Sequence, residues 1–169
     1  SLIDLQNGAE VLAMMTGLPE QHYLLSNSGG YGFITKLSDM VGRVKAGKVV
    51  MTLEAGENVL PPQTVYAVSL INPDCKVVLA SSGNRLLAFS IGELKVMSKG
   101  RGLQLMNLAE NEKLTHIVVV SSPDFIVESV GKRGAVHSDR LRIQDIDNKR
   151  GRKGKILDIS GRLKRLAAL

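Results

Sequence analysis

A basic, glycine-rich loop that runs into an apolar segment occurs three times in this chain, and this repetition constrains the fold more than any other feature. The three copies read GRVKAGKVV, SKGRGLQLMNL and NKRGRKGKILDI, starting at Gly42, Ser98 and Asn148. A serine that precedes each loop, at positions 38, 90 and 138, recurs after 52 and then 48 residues. A period of about 50 residues is typical of propeller blades and other stacked β units. The repeat therefore predicts an array of all-β units.

Each copy is predicted to contain the same order of elements. A hairpin comes first, because glycine supplies the positive φ that its tight turn needs. A short helical turn, the basic loop, a strand and a linking strand follow. The predicted hairpins occupy residues 23–30, 77–84 and 126–133, the helical turns 37–39, 89–93 and 137–139, and the strands after the loops 49–53, 103–108 and 156–159. Ser90 and Glu93 have the spacing of a capping box, which predicts that their side chains close the start of the second helical turn.

Prolines at positions 61–62, 73 and 123 mark the segments that link one copy to the next and end their strands. The predicted linking strands are residues 64–71, 116–120 and 162–166, and residues 9–15 form either a similar strand or a short helix. The chain is thus predicted to be one all-β domain, a propeller-like array of four-stranded blades, with about three blades present. We expect a linking segment from a preceding blade at 1–21 and three blade repeats at 22–72, 73–122 and 123–169.

Positive charge is concentrated late in the chain. Residues 132–165 hold twelve Lys or Arg against four Asp or Glu, a net charge of +8, whereas the whole chain carries +6. Charge that is concentrated in one region indicates what the chain binds rather than how it folds, and a polyanion is the natural partner. Aromatic residues make up 4% of the chain, too few for stacking of single-stranded bases to be the main binding mode.

The basic loops are the predicted binding site. Equivalent positions of a radial array share one rim, so we expect the three loops to form a continuous positive stripe. The predicted phosphate contacts are Arg43, Lys45, Lys48, Lys99, Arg101, Lys132, Arg133, Arg150, Arg152 and Lys153. Glycines at positions 47, 100, 102, 151 and 154 are predicted to let backbone N–H groups approach phosphate oxygens, while the cations release counterions. The alternative interpretation of each loop is a solvated hairpin tip.

The first loop also matches a nucleotide-binding P-loop over its first seven residues. Val49 stands where the Mg²⁺-binding hydroxyl is required, and a strand rather than a helix is predicted to follow. We therefore interpret this stretch as a loop that contacts nucleic-acid phosphates, without nucleotide or metal. A scaffold that binds an acidic protein partner is an alternative function for the rim. A hydrolase is disfavoured, because the chain has no G-x-S-x-G motif.

The remaining reactive residues predict little chemistry. The lone Cys75 excludes an internal disulfide, suits a reducing cytoplasm and is interpreted as a small core residue. His22, His116 and His137 lie far apart without metal-ligand spacing, so no metal site is predicted. No apolar run approaches the ~18 residues that a transmembrane helix needs, so we expect no membrane span.

Three stretches resemble the C-terminal domain of the A subunit of bacterial type IIA topoisomerases. They are LLSNSGGYGFITKLSDMVGRVKAGKVVMTL, LLAFSIGELKVMSKGRG, and VGKRGAVHSDRL with the later KRGRKGKIL, and the resemblance runs from about Tyr23 to about Leu166. An intact gyrase box is absent, and the nearest sequence, KRGRKG at 149–154, lies in the last repeat. Within the family the resemblance therefore favours the topoisomerase IV branch, with a gyrase-type DNA-wrapping domain as the alternative.

The resemblance implies a β-pinwheel whose blades exchange strands and hold double-stranded DNA along their outer edge. It implies a non-catalytic module that binds and bends DNA and guides segments to the enzyme core for strand passage, decatenation and supercoil relaxation. The catalytic tyrosine of the family lies in another region, so Tyr23, Tyr31 and Tyr66 are not expected to take that role.

The resemblance also implies partners. No cofactor is expected for this chain, whereas a second A subunit, the B subunit, ATP and Mg²⁺ are expected for the complete enzyme, on the chromosome in the bacterial cytoplasm. Three repeats are fewer than the full domain of this family, so we expect a fragment that lacks earlier blades.

Overall fold

Three antiparallel hairpins organise the computed structural model, which describes residues 21–66, 69, 72–157 and 161–169. In chain order the strands are β1 (His22–Ser26), β2 (Tyr31–Lys36), β3 (Gln63–Val65), β4 (Lys76–Ser81), β5 (Arg85–Ser90), β6 (Leu103–Gln104), β7 (Leu114–Val120), β8 (Asp124–Val130), β9 (Val136–Arg142), β10 (Lys155–Ile156) and β11 (Arg162–Ala168). The hairpins are β1–β2, β4–β5 and β8–β9, which confirms the three predicted hairpins.

The first two hairpins each form the centre of a sheet that also takes a strand from the next repeat. The strand order is β3-β1-β2-β6 in sheet 1 and β10-β5-β4-β7 in sheet 2, and the described strands of sheet 3 have the order β11-β8-β9. β6 follows the second hairpin in sequence yet pairs with β2, and β10 follows the third yet pairs with β5. We call the side of β6 and β10 the outer edge, and the side of β3, β7 and β11 the inner edge. Neighbouring sheets therefore exchange strands at the outer edge.

The exchanged strand is the second arm of a hairpin that inserts beside the neighbouring sheet. Its first arm runs parallel to the host strand, because Val96 bridges Ile34 in sheet 1 and Asp147 bridges Ala88 in sheet 2. Its second arm is β6 or β10, which runs antiparallel to the same host strand. The second and third basic loops lie at the tips of these hairpins.

Each central hairpin ends in a helical element that begins with a buried apolar residue. These elements are the helix α1 (Leu37–Lys45) and the 3₁₀ helices Ile91–Glu93 and Ile143–Asp145. The predicted helical turn at 137–139 is wrong, because these residues lie in β9, which pairs with β8 along its whole length. The recurring anchor is therefore an apolar residue followed two positions later by an acidic one, and not the serine.

The predicted capping box is also wrong. Ser90 precedes the 3₁₀ helix, but its side chain makes no capping hydrogen bond. The amide of Ile91 instead donates to the Cys75 carbonyl at 3.1 Å, and the Glu93 carboxylate accepts a hydrogen bond from the Arg150 amide at 3.2 Å. Contacts with other segments thus replace the local cap of this three-residue helix.

Several predicted strands differ in extent. β6 covers residues 103–104 of the predicted 103–108, and β10 covers residues 155–156 where 156–159 were predicted. Residues 158–160 lie outside the described residues. Residues 49–53 form no strand, and Met51 makes a single parallel bridge to Gly100. In the next two repeats the corresponding strand pairs with the hairpin of the repeat before, and no hairpin before β1–β2 lies among the described residues.

The linking strands agree better with expectation. β7 contains the predicted 116–120 and β11 contains the predicted 162–166. Of the predicted 64–71, residues 64 and 65 belong to β3, whereas 67, 68, 70 and 71 lie outside the described residues, as does the predicted element at 9–15.

The core is continuous between neighbouring sheets because strands alternate their faces. In β1, Leu24 packs with Leu79 and Phe89 of sheet 2, whereas its neighbour Leu25 packs on the other face with Met40 of α1. Sheets 2 and 3 share a second cluster. Each fully buried side chain of this size stabilises the fold by about 1.5–3 kcal/mol, so the sheets are held together by their faces as well as by exchanged strands.

Candidate nucleic-acid interface

The first basic loop closes helix α1. The amide of Ala46 donates to the Gly42 carbonyl at 3.1 Å, and that of Lys48 donates to the Arg43 carbonyl at 2.8 Å. Gly47 has a φ of +69°, the left-handed conformation typical of the residue after a helix. A P-loop opens a helix, whereas this loop ends one, so the geometry excludes the P-loop interpretation.

The second basic loop lies against the segment that follows the first. The amide of Gly100 donates to the Val50 carbonyl at 3.0 Å, and the Gly100 carbonyl accepts a hydrogen bond from Thr52 at 2.9 Å. Two backbone hydrogen bonds therefore fix the position of this loop relative to the end of the first loop.

The third basic loop repeats this relationship one unit later. The amide of Gly151 donates to the Leu105 carbonyl at 2.8 Å, and the amide of Asn107 donates to the Arg152 carbonyl at 3.0 Å. Leu105 and Asn107 directly follow the second loop. The three loops, 43–48, 98–102 and 148–154, thus lie in sequence along one side of the molecule, and we call them the basic rim.

Three of the loop glycines use their own N–H groups inside the fold, while the predicted approach of loop backbone to phosphates stays a prediction. The amide of Gly47 donates to the Val44 carbonyl at 3.0 Å, and the amides of Gly100 and Gly151 make the bonds described above. These N–H groups hold the loops in place, because a backbone donor that is satisfied inside the fold is not available to a phosphate.

Gly102 and Gly154 have a different structural task. Their φ angles are +87° and +82°, and a Cβ on either would lie 2.1 Å from the Gly32 carbonyl oxygen or 2.6 Å from that of Leu86. Glycine is therefore required where each inserted hairpin approaches its host strand.

Five of the predicted contacts are exposed cations of the basic rim. They are Lys45, Lys48, Lys99, Arg152 and Lys153. None of the five forms an ion pair with the residues that the structure describes, whereas Lys76, Arg85, Arg140, Arg142 and Arg165 do. The positive charge of these five side chains is thus directed to solvent.

Three further predicted contacts are held by the protein itself. The Arg43 Nε donates to the Val49 carbonyl at 2.8 Å, and the Arg150 guanidinium donates to the Gln104 carbonyl at 2.7 Å. Arg101 forms ion pairs with Glu54 and Glu57 and is half-buried. These arginines fasten the loops to the fold.

The last two predicted contacts lie elsewhere. Lys132 and Arg133 are exposed in the turn of the β8–β9 hairpin, where the Gly131 amide donates to the Ala135 carbonyl at 2.8 Å. Among the described residues, no hydrogen bond connects this turn to the basic rim.

Sequence reasoning missed three cations on the inserted hairpins. Lys95 and Lys155 are exposed on the arms that flank the second and third loops, and Lys149 is exposed within the third loop. Lys149 and Lys155 belong to the basic stretch 132–165, so the local charge signalled them, whereas a single lysine at position 95 gave no signal.

Away from the rim, burial shifts the pKa of two side chains, Cys75 and His116. Cys75 is buried, which confirms the predicted core residue, and burial raises the pKa of its thiol more than a hydrogen bond with Ser69 lowers it. Burial lowers the pKa of His116, opposed in part by its hydrogen bond with the Lys164 carbonyl. Among the residues that the structure describes, no helix is both long and apolar enough to cross a membrane.

The fold and the rim define a β-propeller with exchanged strands and a basic outer surface. A family model described as "DNA gyrase C-terminal domain, beta-propeller" matches residues 21–63 and 76–121. The chain belongs to this family, which confirms the predicted resemblance.

Individual relatives agree with this assignment. The chain is 64% identical over 168 residues to a Neisseria gonorrhoeae protein named as the A subunit of DNA topoisomerase 4, covering 99% of this chain and 22% of that protein. It is 32% identical over 164 residues to the protein of the same name from Haemophilus influenzae, covering 92% and 21%. The chain thus spans about a fifth of the length of these curated relatives.

Solved structures agree on the fold. The structure of the E. coli ParC C-terminal domain matches with a TM-score of 0.75 at 25% identity, covering 90% of this chain and 62% of that one. A DNA gyrase A C-terminal domain matches with a TM-score of 0.68 at 21% identity, covering 90% and 50%. The predicted all-β pinwheel is confirmed.

Proposed function

We propose that this chain is the DNA-binding and DNA-bending C-terminal module of a topoisomerase IV A subunit. The observation that carries the proposal is the succession of the three basic loops, in which the second and the third are each joined by backbone hydrogen bonds to the segment that follows the loop before it. The names of the relatives described above point to the same enzyme.

The rim suits a phosphate backbone. Its free cations stand on successive loops, and lysines and arginines that contact phosphates release counterions without reading the sequence. Binding should therefore be sequence-tolerant. A duplex that follows successive loops follows the succession of the sheets, and the family resemblance implies that the module bends it.

We further propose that the chain contributes no catalytic group and needs no cofactor to bind DNA. In the complete enzyme it would guide DNA segments to the core for ATP-dependent strand passage, decatenation and supercoil relaxation. The remaining parts of that enzyme would be one more A subunit, the B subunit, ATP and Mg²⁺, in the bacterial cytoplasm on the chromosome.

The test is fluorescence anisotropy with two unrelated duplexes of about 40 bp at several salt concentrations. We expect equal affinities that fall steeply with salt. Arg152→Glu should weaken binding, whereas Lys113→Glu makes the same charge change at an exposed lysine outside the rim and should have a smaller effect. Absence of binding at low salt would contradict the proposal and favour an acidic protein partner.

A further inference from the structure

A second basic site lies at the inner edge of sheets 2 and 3. A cavity of about 340 Å³ separates the turn of the β4–β5 hairpin from the strands β7 and β11. We call it the inner-edge pocket; its polar lining includes Ser82, Asn84, Thr115, His116, Arg162 and Lys164. No function described so far uses these side chains.

An irregularity in β11 places two cations at this pocket. The pairing of β11 with β8 shifts register between Leu163 and Arg165, so Lys164 is left out of the ladder. Such a bulge changes the direction of a side chain. Arg165 pairs with Glu128, whereas Lys164 lines the pocket beside Arg162.

The backbone of the bulge is held from the neighbouring sheet. The His116 Nε2 lies 2.9 Å from the Lys164 carbonyl oxygen, and its Nδ1 lies 2.8 Å from the Thr115 hydroxyl. Asn84 donates to the Gly161 carbonyl at 3.2 Å from the hairpin turn of sheet 2. These contacts fix β11 against sheet 2, so the pocket has a defined shape.

The charge of the pocket is positive. Arg162 and Lys164 are exposed and form no ion pair with any described residue. Glu112, which bonds to Ser81 of the lining, is compensated by Arg85 at 3.4 Å. The Ser82 hydroxyl accepts a hydrogen bond from the Lys113 amide and keeps its own proton to donate. An anion would therefore meet two cations and a hydroxyl donor.

The positive charge continues beyond the pocket. An adjoining cavity of about 370 Å³ is lined by Lys132 and shares Arg162. Lys164, Arg162 and Lys132 thus line two cavities that share Arg162. A row of cations fits successive phosphates of a nucleic-acid strand better than it fits a single small anion.

The pocket and the basic rim lie at opposite edges of the sheets. In sheet 2 the rim hairpin contributes β10 at one edge, and the pocket is lined by β7 at the other. Three inter-strand spacings of about 4.8 Å separate these strands, or about 14 Å in all. The strands β5 and β4 therefore lie between the rim hairpin and the pocket within sheet 2.

We propose that the inner-edge pocket binds the phosphate backbone of a second DNA segment, separate from the segment on the basic rim. This inference rests on the proposed function, because it assigns the same ligand to a second site. The module then holds two duplexes at once.

A bridging assay tests this. A duplex of about 40 bp is immobilised on beads, and capture of a second, labelled duplex by the chain is measured beside single-duplex anisotropy. Arg162→Gln/Lys164→Gln should lower capture at least about fivefold and change single-duplex affinity less than about twofold. Lys99→Gln/Arg152→Gln on the rim should lower both.

The matched control is Arg140→Gln/Arg142→Gln, which removes two exposed arginines from sheet 3 outside the pocket and should leave capture unchanged. Thermal unfolding of every variant checks that it folds. Unchanged capture by Arg162→Gln/Lys164→Gln overturns the inference, and so does a parallel loss of capture and single-duplex affinity, which would mean one continuous surface. A wild-type chain that binds one duplex but captures no second overturns the pocket alone. A wild-type chain that binds no duplex overturns the proposed function.

Discussion

The guanidinium of Arg101 lies 3.8 Å from the centre of the Tyr31 ring, while the same group forms ion pairs with Glu54 and Glu57. An arginine of the second basic loop is therefore sandwiched between an aromatic ring and two carboxylates of the first repeat. Arg101 therefore stabilises the rim, in contrast to the exposed rim cations that face solvent.

Arg101→Ala should lower the free energy of unfolding by about 1–3 kcal/mol, because it leaves the carboxylate of Glu57, a side chain only 10% exposed, without its partner. Arg152→Ala, at an exposed position, should change it by less than about 0.5 kcal/mol. Urea unfolding measures both. Equal stability of the two variants would mean that Arg101 is a surface cation like the others.

Neutralising exposed rim cations should flatten the salt dependence of DNA binding. Each phosphate contact contributes about 0.9 to the slope of log K against log salt. Lys99→Ala and Arg152→Ala should each lower the slope by about one contact, and the double variant by about two. Anisotropy titrations at four salt concentrations give these slopes. An unaltered slope in the double variant would remove these residues from the interface.

Gly102→Ala and Gly47→Ala provide a matched pair of glycine substitutions. Both residues have a positive φ, so each alanine should cost about 1–2 kcal/mol in conformational strain. Only at Gly102 would the new Cβ also overlap a host-strand carbonyl, that of Gly32, whereas nothing lies within 4 Å of the position at Gly47. Urea unfolding should show the larger loss for Gly102→Ala. Similar losses would argue against close insertion of the hairpin.

Stability should fall on mild acidification through His116. Burial lowers the pKa of this imidazole in the folded chain below its ordinary value of 6.5, so the unfolded chain binds more protons there. Its contribution is fully present above pH 6.5 and is lost as pH falls through the folded-state pKa. The melting temperature should therefore drop between pH 7 and pH 5.5, and less so in His116→Gln.

A second effect of pH on stability, at a carboxylate, should occur in a separate pH range. The Arg165 guanidinium holds the pKa of Glu128 below its ordinary value of 4.5, so its contribution is lost only under more acidic conditions. A pH profile of His116→Gln that matches the wild type down to pH 5.5 would contradict the role given to the histidine.

The sequence was sufficient for the hairpins and the rim loops, because their signals are local. Glycine turns between apolar runs fixed the β1–β2 and β4–β5 hairpins, and clustered cations marked the loops. Strand exchange followed only from the family resemblance and not from the residue pattern, because β6 and β10 pair with hosts in another repeat and two-residue strands carry no periodicity. The third helical turn was misplaced because Ser138 imitated the earlier serines, although Ile143 and Asp145 repeat the pattern that matters.

In the candidate site, too, features with a local signal were predictable and contacts between distant residues were not. Exposed positions such as Lys99 and Arg152 follow from charge in a glycine-rich loop. The ion pairs of Arg101 could not be predicted, because its partners Glu54 and Glu57 lie 47 and 44 residues away in sequence. The bulge at Lys164 depends on the register of two strands, which hydrophobic alternation alone does not specify.

The backbone hydrogen bonds that hold successive loops in place have a consequence for the spacing of the positive charge clusters. The separation of neighbouring charge clusters is set by peptide groups, and salt screens side-chain charges far more than it weakens such bonds. The spacing of the charge clusters should therefore stay constant when the ionic strength changes, while the attraction of a polyanion to each cluster changes.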